Sequence, residues 1–150
     1  GTNSRRCSRG PTPVQLDEDL IQAEIREIAT GSTALTAIVP ASSMHDEFPA
    51  DETPTPRIGF RMADRTAAHV DQGKACGWAA SWDLVVEDDD SGRIKSICAL
   101  LETLYDGVGG RVGEVTIRVL IHSVSGTTYD PETRMRARVV TLMVLVQPAG

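Results

Sequence analysis

Aromatic side chains are scarce: two Trp, two Tyr and two Phe make up 4% of the 150 residues. A core built on stacked rings is excluded, and Ile, Val, Leu, Met and Ala must fill the interior. Excess positive charge is also lacking. The formal net charge is −6, which argues against general nucleic-acid binding, where a basic face supplies affinity through counterion release. A channel or ring through which DNA passes without sticking is still compatible. No apolar run approaches the ~20 residues that span a bilayer, and the first residues lack the apolar segment of a secretory signal. The three cysteines, Cys7, Cys76 and Cys98, are too far apart in sequence for a metal knuckle. An odd number makes a poor disulfide framework, so a reducing cytosol is the simpler expectation.

What is present is ordinary for a folded protein: 41% hydrophobic and 24% charged residues. The length suits one domain, and a chain of this size buries roughly 68–70% of its unfolded surface. Residues 1–13, GTNSRRCSRGPTP, hold three Arg, two Pro and two Gly and no Leu, Ile or Val. They read as a flexible basic N-terminal arm, followed by a single α+β domain over 14–150.

Within that domain, Leu20, Ile21, Ile25 and Ile28 repeat at helical spacing and predict a helix over 16–30, with acidic residues in its first turn. Residues 41–56 read as a loop with one short extended piece around 44–48. Ile58, Phe60 and Met62 alternate as a strand, and residues 63–77 read as a long loop or hairpin tip. Trp78, Ala80, Trp82, Leu84 and Val86 form a second, half-buried strand. The acidic run 87–90 ends it, and Asp90 or Ser91 can cap the next helix. That helix carries Ile94, Ile97, Cys98, Leu101, Leu104 and Tyr105 on one stripe, which makes Cys98 a small core residue. Val115, Ile117, Val119 and Ile121 share a face of a further strand. A turn, SGTTYDP, leads to a last strand over 133–146, longer than the usual three to ten residues. This order predicts an antiparallel sheet of about four strands, with two helices packed on one face and a long C-terminal hairpin.

Few residues suggest chemistry. His45, Asp46 and Glu47 are adjacent in an extended loop, where neighbouring side chains diverge rather than converge on a metal. His69 lies near Asp64 and Asp71, also in an expected loop. The glycine-rich stretch 107–113 follows a helix and leads into a strand, whereas a phosphate loop needs strand, loop, then helix. It reads as a helix stop and turn. The run 87–90 lacks the alternating ligand pattern of a calcium loop. No nucleophile sits in a recognisable elbow, so no catalytic residue, metal or cofactor is expected.

The final strand is different. Arg134, Arg136 and Arg138 share one parity, which continues as Val140, Leu142, Val144 and Val146. The other parity carries Met135, Ala137, Val139, Thr141, Met143 and Leu145. The second half is thus apolar on both faces and needs cover on each side. The first half presents a row of guanidinium groups able to meet carboxylates bidentately. Together with Arg118 and His122 on the preceding strand, these arginines form the candidate subunit or partner interface.

The chain resembles the phage tail terminator or tail-completion proteins of the head–tail joining class, over about residues 20–147. The likeness lies in the order and spacing of elements: an opening helix, the turn TALTAIV, then MHDEFP and TPTPRIGF. The strand SWDLVVE, the helix SGRIKSICALLETLYDG and the closing hairpin VTIRVLIHSVSGTTYDPETRMRARVVTLMVLVQ complete it. The arm 1–13 lies outside it. The resemblance implies a structural virion protein with no catalytic residues. Such a protein forms a ring, commonly of six copies, that caps the tail tube and meets the head-side connector or neck protein. Genomic DNA would pass through its lumen unbound. Assembly would take place in the host cytoplasm and the protein would reside in the virion. Asp88, Asp89 and Asp90 are candidates for an acidic lumen that repels phosphates. The alternatives are a neck or head-completion ring, and a cytosolic ligand-binding or dimerisation module.

Overall fold

The computed structural model describes residues 16–47, 52–71 and 74–149; the expected arm lies outside them. The chain runs α1 (Glu18–Thr30), α2 (Thr33–Thr36), a 3-10 turn (Ala41–Ser43), β1 (Met44–Asp46), β2 (Arg57–Asp71), β3 (Lys74–Asp88), α3 (Ser91–Tyr105), β4 (Gly109–Val112), β5 (Val115–Val124), β6 (Thr128–Asp130) and β7 (Met135–Pro148). No helix among the described residues is long and apolar enough to cross a membrane.

All the strands join one sheet in the order β1-β2-β3-β7-β5-β4, with β6 paired to β7 beyond the end of β5. β1 runs parallel to β2, and every other pairing is antiparallel. The expected α+β domain with a four-stranded antiparallel sheet is therefore overturned, along with its two helices on one face. Among the described residues the fold is mostly β, with few helices and a curled, mixed sheet of seven strands.

The missing strands have physical causes. Residues 63–77 are largely paired strand, because β2 and β3 continue together through Thr66↔Ala79 and Ala67↔Trp78. Ala63, Asp64, Arg65 and Thr66 are exposed, so a backbone ladder persists where no buried face imposes alternation. Gly109 and Gly110, expected in a turn, pair with Arg118 and Ile117 as β4. Only Gly107, at φ 82°, has the left-handed backbone that stops α3. β6 lies inside the expected turn and pairs with β7 at Thr128↔Ala137 and Tyr129↔Arg136.

The core forms where alternate strand residues meet the helices. Phe60, Trp82, Leu84, Leu142 and Val144 are fully buried with Ile21 and Ile25 of α1 and Ile97 and Leu101 of α3. Two polar ties align these layers: the Trp82 indole N–H donates to Gln22 Oε1 at 3.0 Å, and the buried Tyr105 hydroxyl donates to the Ile25 carbonyl. Asp17 caps α1 and Asp90 caps α3 by accepting from the Leu20 and Arg93 backbone N–H groups, each at 3.1 Å. β7 lies between β3 and β5, which accounts for its length and for the apolar second half.

Candidate assembly surface

The arginines divide along the chain. Each described arginine before residue 100 is held by a carboxylate: Arg26 by Asp46, Arg57 by Glu87 at 3.3 Å, Arg61 by Asp83 at 3.4 Å, Arg65 by Glu18 at 2.9 Å and Arg93 by Asp88. Arg111, Arg118, Arg134, Arg136 and Arg138 have no carboxylate partner among the described residues. These five lie on β4, β5, β7 and the turn before β7, at one side of the sheet.

The structure does not gather the candidate interface residues on one face. Arg136 and Arg138 share the side of β7 that buries Val140 and Leu142. Arg118 stands opposite Leu145, on the other side, and is exposed. Arg134 sits in the hairpin turn with φ 60°, exposed. His122 is exposed within the register shift between Ile121 and Ser123.

Arg136 and Arg138 are only half exposed. The Arg136 guanidinium donates to the Asp89 carbonyl at 2.7 Å and lies 4.8 Å from the centre of the Tyr129 ring, close enough for a cation–π contact. Tyr129, 53% exposed, is a site residue that the sequence reading misses. Its signal is a rare aromatic set in a turn that no core needs. The Nε of Arg138 is shielded from solvent and has no hydrogen-bond partner among the described residues. Burial pushes the Cys98 thiol up to about 11, with the nearby Arg138 charge acting in the opposite sense. Cys98 is a free, buried thiol, whereas Cys76 is disulfide-bonded, contrary to the expectation of reduced cysteines.

The acidic run is also divided. Asp88 is fully buried and accepts from the Arg93 guanidinium, including Nη2 at 2.8 Å, and from the Asp89 N–H at 2.8 Å. Burial alone would raise its pKa, but these hydrogen bonds outweigh it and hold the carboxyl below its ordinary value. Only Asp89 and Asp90 are exposed, and Asp90 is occupied in capping α3.

His45 is half-buried in β1, its Nε2 without a hydrogen-bond partner among the described residues, while Asp46 turns to Arg26 and Glu47 is exposed. The backbone of His69 pairs with Gly77. No three His, Cys, Asp or Glu side chains among the described residues group as a metal site. A cleft of about 530 Å³ lies at the base of the β6–β7 hairpin, between Arg57, Glu87, Tyr129, Met135 and Ala137. Of its charged walls, Arg57 and Glu87 bond to each other, and Asp130 is the third.

The far side of the sheet thus carries guanidinium groups without acidic partners among the described residues and an exposed tyrosine. Among curated proteins none matches the sequence. The fold is shared with solved structures. One is a chain of the virion of a native gene transfer agent (GTA) particle, at TM-score 0.65 and 15% identity, covering 84% of this chain and 93% of that one. A second solved structure has TM-score 0.64 and 18% identity, over 91% of this chain and 99% of that one. The sequence itself matches the family described as tail completion protein gp17 over residues 23–147. The chain therefore belongs to the tail completion protein gp17 family, structural proteins of the phage virion tail.

Proposed function

We propose that copies of this chain assemble into a ring of six that caps the tail tube and joins it to the head-side connector or neck protein. The observation that carries this reading is the concentration of carboxylate-free arginines on β4, β5 and β7. A chain of net charge −6 has acids to spare, yet among the described residues these five are without one. Arginine's rigid fork suits bidentate recognition of a partner's carboxylate, and arginine and tyrosine are enriched at binding hot spots. The subunit or partner contact is assigned to Arg118, His122, Arg134, Arg136 and Arg138. Asp89 and Asp90 can face a lumen that DNA crosses without binding, whereas the buried Asp88 cannot.

The test is native mass spectrometry and electron microscopy of the protein, alone and mixed with tail tubes. A ring at the tube end is expected. A protein that stays monomeric and unbound in the presence of tubes would overturn the reading. Replacing Arg134, Arg136 and Arg138 together with Glu should leave the monomer folded and prevent assembly.

A further inference from the structure

We infer that Arg136, Arg138 and Tyr129 form a cradle for a carboxylate of a second copy of this chain, and that Glu47 supplies it. The inference rests on the ring reading and names the contact within it. Arg136 and Arg138 are two apart on β7 and so emerge on the same side, roughly 6.6–6.8 Å apart along the strand. Tyr129 is the register partner of Arg136 on β6 and packs its ring under that guanidinium. Arg136 is thereby fixed in place by the ring and by the Asp89 carbonyl. Arg138 is the incomplete member. Its Nε–H is closed off from water and lacks an acceptor, a rare state for a buried donor. A carboxylate from outside does not reach that enclosed Nε, but entering beside Arg136 it would meet the half-exposed Arg138 side chain and two positive charges.

The complementary feature stands at the opposite edge of the sheet. β1 is the edge strand there, while beside Arg136 the other side of the sheet is closed by β6. Glu47 follows β1 directly. Its N–H is held by the Phe60 carbonyl at 2.7 Å, and its backbone is left-handed at φ 62°. A glutamate rarely takes that conformation. Here it leaves an exposed carboxylate with no cation partner among the described residues. Asp46, its neighbour, is already bound by Arg26. An acid at one edge and a basic cradle at the other make a heterologous contact. Repeated head to tail, such a contact closes into a ring when the rotation permits.

The experiment is a charge swap in the full chain, read as the protein concentration at half-assembly on tail tubes. Glu47→Arg and Arg138→Glu should each raise that concentration by about tenfold or more, as for close charge pairs at interfaces. The double variant Glu47→Arg/Arg138→Glu should regain most of the loss. Should Arg138→Glu lower the monomer's melting temperature, Glu47→Gln and Arg138→Gln take their place. Their losses should then be less than additive in the double variant. Additive losses, or single variants that assemble like the parent, would overturn the pairing and leave the ring reading standing. Loss of tube attachment with self-association intact would assign the cradle to the tube protein and also overturn it. A parent protein that forms no ring on tubes would bring down the ring reading itself.

Discussion

Asp88 combines complete burial with a charge that the fold stabilises. Burial works against its ionised form, and the Arg93 and Asp89 hydrogen bonds more than offset that. The folded carboxyl therefore titrates below its ordinary value of 3.8. Its contribution to stability is fully present above about pH 4 and is lost as the pH falls through the folded value. Urea midpoints should drop between pH 5 and pH 2.5 in the parent, and the drop should be smaller in Asp88→Asn. Equal acid sensitivity in both would remove Asp88 from the account. Cys98 offers a second residue-level check. With its thiol pushed up to about 11, it is protonated at pH 8. An alkylating reagent should modify it slowly in the native protein and readily in urea, as followed by mass spectrometry. Tyr105→Phe removes one buried donor to the Ile25 carbonyl and should cost about 1 kcal/mol in equilibrium unfolding.

At the scale of elements, the legible parts of the fold were those with one buried stripe. The spacing of Ile94, Ile97, Cys98, Leu101 and Tyr105 locates α3, and all five are buried in it. Asp90 caps that helix, so Asp90→Ala should cost about 1 kcal/mol, read from the denaturation midpoint. The illegible parts were strands whose pairing is carried by backbone alone. β4 opens on two exposed glycines, β6 is three exposed residues, and Ala63, Asp64, Arg65 and Thr66 in the outer part of β2 are exposed. Side-chain periodicity reports burial, not hydrogen bonding, so such strands leave little trace in a sequence. The same limit applies to the arginine row. Parity along β7 placed Arg136 and Arg138 on one side correctly. It could not show that α3 follows β3 closely enough for the Asp89 carbonyl to bind Arg136. The split of Arg118 to the other side follows from its register with Leu145, which sequence does not state.

For the whole molecule, the partition of ion pairs makes a statement about salt. The five paired arginines tie β2 to β3 and α1, α3 to β3, and α1 to β1 within one chain, several of them at partly exposed sites. Exposed pairs contribute little and are screened, so monomer stability should change only slightly between about 50 mM and about 500 mM salt. Assembly through guanidinium–carboxylate contacts between copies should weaken across the same range. Thermal unfolding and sedimentation of the same samples would separate the two responses. A monomer that melts much earlier at high salt while the assembly persists would reverse this division of roles.

β7 is an interior strand of the sheet and is synthesised after β3 and β5, the two neighbours it pairs with. While a ribosome is still making residues 135–148, β3 and β5 each wait with an unpaired edge, and Leu142 and Val144 are not yet there to seal the core. Pairings this distant in sequence form slowly, and open edges in the meantime invite mispairing with other chains. The sheet thus closes only once residues 135–148 are available, as a single late event. Nascent chains halted before residue 135 should be protease-sensitive throughout, rather than protected in an N-terminal half.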